Sequence, residues 1–185
     1  MRNPYRFIVE PFSGKYRTTK EVAGKTLFLT SSIEDAKFVS RIAIVTSVPL
    51  FYKGEIEAGD IVVIHHNIFR EFYNHNGKVA NSPNYINYEG RDLFLVNPDL
   101  IYLYSKGEKW EANEDYCFIR PIKEIDKWSK TERLVELKGE VVYSNTVEVG
   151  KIIGFTPHSE YEFEIDEETL YRMKDSDICL YYEGT

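Results

Sequence analysis

The chain has 185 residues, 43% of them hydrophobic and 15% aromatic, which is enough apolar material for one medium domain or two small ones. Its net charge of −7 repels a phosphate backbone and therefore excludes DNA and RNA as expected partners. The sequence has neither a long apolar run nor a signal-peptide pattern, so we predict a cytoplasmic protein that is not exported and does not cross a membrane.

Short segments rich in Val, Ile, Tyr and Phe alternate with turn residues, a pattern typical of β-strands. In the first half we predict strands at Arg6–Glu10, Thr26–Thr30, Arg41–Val48, Asp60–His65, Ile68–Tyr73, Asn84–Tyr88, Leu93–Val96 and Ile101–Tyr104. A helical turn at Ile33–Phe38, capped by Ser32, is the only helix predicted. After the polar segment Ser105–Asp115, strands are predicted at Tyr116–Arg120, Leu134–Ser144, Lys151–Phe155, Glu160–Ile165, Thr169–Arg172 and Ile178–Tyr182. The predicted fold class is all-β.

Both halves contain three similar segments in the same order, which predicts an internal duplication. The matched segments are RFIVEP (Arg6–Pro11) with CFIRP (Cys117–Pro121), EAGDIVVI (Glu57–Ile64) with EVGKIIGF (Glu148–Phe155), and DLFLVNPDLIYLY (Asp92–Tyr104) with TLYRMKDSDICLYYEG (Thr169–Gly184). We therefore predict a first domain at residues 1–105, a linker at 106–115 and a shortened second domain at 116–185.

The matched segments resemble the repeat of the GroES-type co-chaperonins, small β-barrels that close the chamber of GroEL-type chaperonins. The resemblance rests on Ile119-Arg120-Pro121, Gly139-Glu140-Val141, Val149-Gly150 and MKDSDI (Met173–Ile178) in the second half, and on Gly59-Asp60 and Asn97–Ile101 in the first. It implies two tandem GroES-like β-barrels and a co-chaperonin that assists protein folding.

The segment EVAGKTLFLTSS (Glu21–Ser32) resembles the mobile loop with which this family binds its chaperonin. The resemblance implies that Gly24, Leu27, Phe28 and Leu29 bind the chaperonin, within a loop, Gly14–Thr26, that lacks regular structure. The alternative is that Thr26–Thr30 is an ordinary core strand. A short roof hairpin is predicted at Val48–Gly54, where Leu50, Phe51 and Tyr52 either face the enclosed client or pack on a neighbour.

The resemblance also implies a nucleotide-dependent complex with a GroEL-type chaperonin and a ring of identical chains. In the family the first strand of one domain meets the last strand of the next. The candidates here are Arg6–Glu10 with Ile101–Tyr104 and Tyr116–Arg120 with Ile178–Tyr182. We prefer a heptamer with the domains in two tiers, since only the first half carries such a loop. A smaller ring with both domains in one tier is the alternative.

Catalytic, cofactor and metal sites are not predicted, because the sequence has no nucleophile elbow, phosphate loop or GxGxxG. His65 and His66 are adjacent in a predicted strand and would point to opposite faces, which disfavours a shared metal. Cys117 and Cys179 lie in apolar strands and are expected to be buried free thiols. The alternative function is a structural or assembly module, for example a viral one, that keeps the barrel without binding a chaperonin.

Overall fold

The computed structural model describes residues 1–16, 19–22, 25–28, 39–107, 109–125 and 132–182, with backbone only for 19–22 and 25–28. Within these residues the regular structure consists of β-strands and three 3-10 turns, so the all-β prediction is confirmed. The chain divides into two compact units, Met1–Lys109 and Trp110–Thr185, called unit 1 and unit 2 below.

Unit 1 contains the first ten strands. They are β1 (Phe7–Pro11), β2 (Thr19–Val22), β3 (Lys25–Phe28), β4 (Ile42–Ser47), β5 (Ile61–Ile64), β6 (Phe72–Tyr73), β7 (Val79–Ala80), β8 (Tyr85–Tyr88), β9 (Arg91–Val96) and β10 (Ile101–Lys106). Strand β11 (Lys109–Ala112) crosses the boundary between the units. Unit 2 continues with β12 (Tyr116–Ile125), β13 (Glu132–Tyr143), β14 (Ile152–Phe155), β15 (Tyr161–Ile165), β16 (Glu168–Lys174) and β17 (Ile178–Tyr182).

The two units share one topology. In unit 1 six strands are hydrogen-bonded in the order β10, β5, β4, β1, β9, β8, and in unit 2 the order is β17, β14, β13, β12, β16, β15. Each strand of unit 1 thus has a counterpart at the same place in unit 2, and all these pairs are antiparallel. Pro98–Leu100 and Asp175–Asp177 form 3-10 turns before the last strand of each unit. The units are therefore structural repeats.

The correspondence extends to irregular features. Residue Val9 pairs with Val45 just after a register shift in β1, and Ile119 pairs with Val141 just after the same shift in β12. The turns before β5 and β14 contain Gly59 and Gly150 at positive φ, and each glycine N–H donates to the equivalent valine carbonyl. These donor–acceptor distances are 2.7 and 2.8 Å. Only glycine adopts such φ values without strain, which explains why the matched segments of both halves contain a glycine at this turn.

Each unit has its own hydrophobic core, built from equivalent strand positions. The core of unit 1 includes Phe7 and Val9 of β1 together with Val45 of β4. The core of unit 2 has Cys117 and Ile119 of β12 at the equivalent positions, together with Val141 of β13. Among the described residues, nineteen buried hydrophobic residues belong to unit 1 and thirteen to unit 2, so the described part of unit 1 has the larger apolar interior.

Several predicted elements differ from the structure. Among the described strand pairings no sheet closes into a barrel. The predicted linker at 106–115 contains β11, because Lys109–Ala112 satisfies its backbone groups in a strand. The predicted strand Ile68–Tyr73 is a 3-10 turn at His66–Ile68 followed by the short β6. A turn buries the adjacent Ile68 and Phe69 together, which strand alternation does not allow.

The edges of the sheets also differ from expectation. Strand β1 pairs with both β4 and β9, and β12 pairs with both β13 and β16. Both sheet neighbours of β1 and of β12 are therefore strands of the same chain, and the contact between chains that the resemblance implies for Arg6–Glu10 and Tyr116–Arg120 stays a prediction. Strand β17 is the last strand of its sheet and pairs with β14 alone among the described strands. Cys117 is buried as expected, whereas Cys179 on β17 is exposed.

Candidate partner-binding site

The connection between β1 and β4 contains the predicted chaperonin-binding residues. Its two ends run side by side: the Phe12 N–H donates to the Ile42 carbonyl (3.1 Å) and the Ser40 N–H donates to the Lys15 carbonyl (2.8 Å). An isolated antiparallel bridge joins Tyr16 and Val39. We call residues 17–38, which lie between these paired ends, the arm, and residues 12–16 with 39–42 its base.

Lys15 fixes the base to two other parts of unit 1. Its Nζ lies 2.8 Å from Glu71 Oε1, 3.1 Å from Asn81 Oδ1 and 3.5 Å from Asp92 Oδ2. The same ammonium lies 5.5 Å from the centre of the Tyr85 ring, within cation–π range. Burial alone lowers the pKa of Lys15, but the hydrogen bond and charge of Glu71, with Asp92, outweigh it and raise the pKa overall. The ammonium is therefore held charged.

Tyr16 provides a second attachment next to Lys15. The Glu71 backbone N–H donates to the Tyr16 hydroxyl at 2.7 Å, and the ring packs against the core of unit 1. Burial is the main cause of the raised pKa of Tyr16. We call Lys15, Tyr16, Glu71, Asn81 and Asp92 the base clamp, because they connect the base of the arm to β9 and to the segment after β5. The clamp gives the arm a defined starting point.

Within the arm, β2 and β3 form a two-stranded antiparallel sheet of their own. Lys20 pairs with Leu27 and Thr19 pairs with Phe28, so two of the predicted binding residues lie on β3. Gly24 and Leu29 lie outside the described residues, as does the predicted helical turn at 33–38. The expectation of a loop without regular structure at 14–26 is wrong for 19–22 and 25–26, which lie in β2 and β3. The antiparallel pairing of these strands satisfies their backbone groups.

The roof segment, residues 48–54, contains the predicted client-facing residues. It is a turn without the strand pairs of the predicted hairpin. The backbone N–H groups of Leu50 and Phe51 donate to the Asn3 and Pro4 carbonyls at 3.0 and 3.2 Å. The Leu50 and Phe51 side chains are 51% and 66% exposed, and the Phe51 ring lies 5.5 Å from the ring of Tyr5, which is also exposed.

Tyr52 differs from its neighbours in the roof segment. Its ring packs edge-on against Phe7 at a centroid distance of 4.7 Å and belongs to the partly buried layer around the core. A Cβ at Gly54 would meet the Tyr52 hydroxyl, so a larger residue at this position would require the ring to shift. The roof segment therefore presents Leu50 and Phe51, with Tyr5, as its exposed apolar surface, and uses Tyr52 for packing.

The histidines have a different geometry from that predicted. His66 begins the 3-10 turn, so the rings of His65 and His66 stack at 4.3 Å instead of pointing to opposite faces. His65 Nδ1 accepts the Asn67 backbone N–H and is therefore occupied. Burial, with the charges of His65, Arg41 and Arg70, lowers the pKa of His66 to about 4. Among the described residues no group of three or more His, Cys, Asp or Glu is arranged to hold a metal.

Sequence patterns indicate neither the base clamp nor the position of Tyr5 beside the roof segment. Lys15 and Glu71 are 56 residues apart, and each is a common surface residue with no pattern around it. Tyr5 lies next to the roof segment because the carbonyls of Asn3 and Pro4, just before it in the chain, accept hydrogen bonds from the backbone N–H groups of this segment. The sequence does contain one signal, the long polar stretch after β1. This stretch indicates a connection that leaves the main sheet, but it does not indicate which residues hold the connection in place.

The described residues contain no helix of the length and apolar character that a membrane-spanning segment requires. A search of known protein families finds none that matches this chain, and no curated protein matches it. Function is therefore argued from the arm, its base clamp and the roof segment.

Proposed function

We propose that this protein is a cytoplasmic co-chaperonin, without catalytic chemistry or cofactor, that caps a GroEL-type chaperonin and assists protein folding. The observation that carries the proposal is the arm: a long connection between two paired strands, with a clamped base and a separate two-stranded sheet. A core strand would join the main sheet, and β3 pairs with β2 instead. This pairing favours a docking role for Leu27 and Phe28, with Gly24 and Leu29 beside them.

Capping needs firm but reversible attachment, and multivalency provides it. One arm contributes a small apolar contact, which is weak by itself. Several arms on one ring act together, because each bound arm raises the effective concentration of the next. The base clamp supports this scheme, since an arm with a fixed starting point loses less freedom when it binds. We propose a heptamer, with one arm for each chaperonin subunit.

The roof segment supports a role in contacting the enclosed client. Leu50 and Phe51 are exposed apolar residues next to Tyr5, and such a patch suits weak contact with unfolded chains. Tyr52 holds the roof segment against the core of unit 1 by packing on Phe7. We therefore assign client contact to Leu50 and Phe51 in this proposal, and a structural role to Tyr52.

The decisive experiment is binding to a purified GroEL-type double ring with and without nucleotide. The wild-type protein is expected to co-migrate with the double ring only when nucleotide is bound. A variant carrying Leu27→Ser, Phe28→Ser and Leu29→Ser is expected to lose binding and keep its melting temperature, since docking residues are not needed for folding. Native mass spectrometry of the free protein is expected to give seven chains.

The second unit offers a matched control. Residues 122–138 of unit 2 occupy the place of the arm, and there Ile125 and Leu134 are 70% and 47% exposed. Changing both to Ser removes exposed apolar side chains from the equivalent connection and should leave capture unchanged. A wild-type protein that stays monomeric at micromolar concentration, or a triple variant that unfolds, would contradict the proposal.

An assembly module remains the second candidate function, favoured by β17. This strand ends its sheet, and Leu180, Tyr181 and Tyr182 are exposed on it. Unpaired backbone groups beside apolar side chains are suited to pairing with another chain. A protein of this class would form shells or fibres and would not bind a chaperonin.

A further inference from the structure

The segment between β5 and β9 contains a cleft that has no counterpart in unit 2. In unit 1 this segment holds a 3-10 turn and strands β6, β7 and β8, whereas in unit 2 only β15 lies between β14 and β16. The cleft has a volume of about 480 Å³, within the range of small-molecule sites. It is lined by Asn67, Arg70, Phe72, Ser82, Pro83 and Asn84.

Arg70 is the charged residue of this cleft. Its Nε is buried and has no hydrogen-bond partner among the described residues. The adjacent Glu71 does not neutralise it, because that carboxylate pairs with Lys15 at 2.8 Å. The described lining residues include no Asp or Glu. A buried guanidinium donor without an acceptor is costly, and an oxyanion is the acceptor that fits its planar fork best.

Ser82 adds a second donor to the cleft. It is 5% exposed, and its Oγ accepts hydrogen bonds from the Asn84 backbone N–H at 3.2 Å and from Asn84 Nδ2 at 3.3 Å. With both lone pairs used in this way, the Ser82 hydroxyl keeps its own proton for an acceptor. The cleft thus combines a cation and a buried hydroxyl donor.

Phe72 and Pro83 form the apolar part of the lining, beside the amides of Asn67 and Asn84, and a hairpin holds Phe72. Phe72 pairs with Ala80 across β6 and β7, and Asn74 Oδ1 accepts the N–H groups of Asn76 and Lys78 in the turn between them. Phe72 is partly exposed and lines the cleft with Pro83. An aromatic face of this kind packs well against a ring of a ligand.

The electrostatic surroundings also favour an anion. Arg41 and Arg70 both act to lower the pKa of His66, after the larger effects of burial and of His65, so both positive charges lie near this ring. The whole chain carries a net charge of −7 and does not attract anions in general. An arginine in a cleft whose described lining has no acidic residue is therefore the local feature that favours an anion.

We propose that this cleft binds a small organic anion, whose phosphate or carboxylate group pairs with Arg70 and Ser82 and whose ring packs against Phe72 and Pro83. None of the lining residues belongs to the arm or to its base clamp. Phosphate and carboxylate groups share the oxyanion chemistry that an arginine guanidinium recognises. An experiment therefore has to distinguish which of the two kinds of anion binds.

The test uses the full chain with three probes: phenyl phosphate, benzoate and the neutral benzyl alcohol. Titration calorimetry is expected to give saturable binding of at least one anion and none of benzyl alcohol. Arg70→Gln should weaken anion binding at least about tenfold, because charge-assisted bonds are lost. The matched control Arg91→Gln removes the same charge from an exposed pair with Glu10 and should leave binding unchanged.

Two further variants keep the test decisive. If Arg70→Gln lowers the melting temperature, Arg70→Lys retains the charge but not the fork and should still weaken binding in a folded protein. Phe72→Ala should weaken phenyl phosphate but not inorganic phosphate, because only the former has a ring. The His66 ring protons give a local readout: a bound anion offsets the charge of Arg70 and should raise the pKa of His66.

Specific outcomes would overturn the proposal. One is the absence of saturation by both anions at millimolar concentrations. Another is an equal loss of affinity in the Arg70 and Arg91 variants, which would indicate non-specific attraction. Binding of benzyl alcohol as strongly as the anions would show an apolar cleft without oxyanion recognition.

Discussion

Units 1 and 2 share one strand topology but differ in their side chains. One ion pair, present in both units, illustrates this difference. In unit 1, Glu10 of β1 pairs with Arg91 of β9 at 2.9 Å. At the equivalent positions of unit 2, Arg120 of β12 pairs with Glu168 of β16, so the two charges are exchanged. The backbone register is the same in both cases, with Phe7 opposite Val96 and Cys117 opposite Met173. Strand pairing therefore tolerates either arrangement of charge, since both satisfy the same geometry.

The last strands of the two units show what the topology does not determine. Strand β10 is buried at its first five residues, whereas four of the five residues of β17 are exposed. The same position in the sheet is an interior strand in one unit and an apolar surface in the other. This difference teaches that a duplicated fold can keep its pairing pattern while its surfaces take on separate roles.

The largest expected effect concerns two equivalent core valines. Val45→Ala and Val141→Ala each remove two buried methyl groups from a core position, so each should lower the free energy of unfolding by about 2 kcal/mol. Amide hydrogen exchange of β4 and β5 follows unit 1, and that of β13 and β14 follows unit 2. Val45→Ala should speed exchange in β4 and β5, and Val141→Ala should speed exchange in β13 and β14. Equal acceleration in both pairs of strands by either variant would show one cooperative unit instead of two.

A smaller effect is expected at the base clamp. Lys15→Met should lower the free energy of unfolding by about 1 kcal/mol and speed amide exchange in residues 12–16, because Glu71 and Asp92 lose their partner. The control is Lys123→Met in the equivalent connection of unit 2. Lys123 and Glu132 are 3.5 Å apart and largely exposed, so no measurable effect is expected there.

The clamp also gives this difference between wild type and Lys15→Met a pH dependence. The Tyr85 hydrogen bond, then the charge of Lys15, lowers the pKa of Asp92 in the folded state. Its contribution is therefore complete above the unfolded-state value of about 3.9 and is lost as the pH falls through the folded value. The difference should be largest near neutral pH and shrink below about pH 4. A difference that grows on acidification would contradict the charged clamp.

The smallest perturbation compares the two thiols of unit 2. Burial raises the pKa of Cys117 to about 12, whereas Cys179 is exposed on β17. A thiol reagent should label one cysteine quickly in the native protein, and Cys179→Ser should abolish that fast reaction while Cys117→Ser preserves it. If β17 pairs with another chain, as in the assembly function, labelling of Cys179 should slow with increasing protein concentration. Labelling independent of concentration would count against that function.

Local patterns in the sequence predicted the features that depend on neighbouring residues. A strand is predicted at Glu160–Ile165, and β15 forms there with Phe163 and Ile165 buried and Glu162 and Glu164 exposed, although Tyr161 at its start is exposed as well. The matched segments predicted a repeat, and the two units have the same strand order. The alternation of polar and apolar residues and the turn glycines can both be recognised from neighbouring positions, because strand and turn geometry involve only about two to four consecutive residues.

Tertiary structure alone decided which residues come together across long separations. No local pattern marks Lys15 as the partner of Glu71 and Asp92, or shows that Arg70 lies in a cleft beside Ser82 with no described hydrogen-bond partner for its Nε. The exposed edge at β17 likewise depends on the order of strands in the sheet and not on its apolar sequence, which predicted burial. The sequence by itself thus determined strand content and the repeat, through short-range backbone and side-chain preferences. Ion pairing, cleft formation and edge exposure were decided by the packing of distant strands, where many partners compete for each charge and each backbone group.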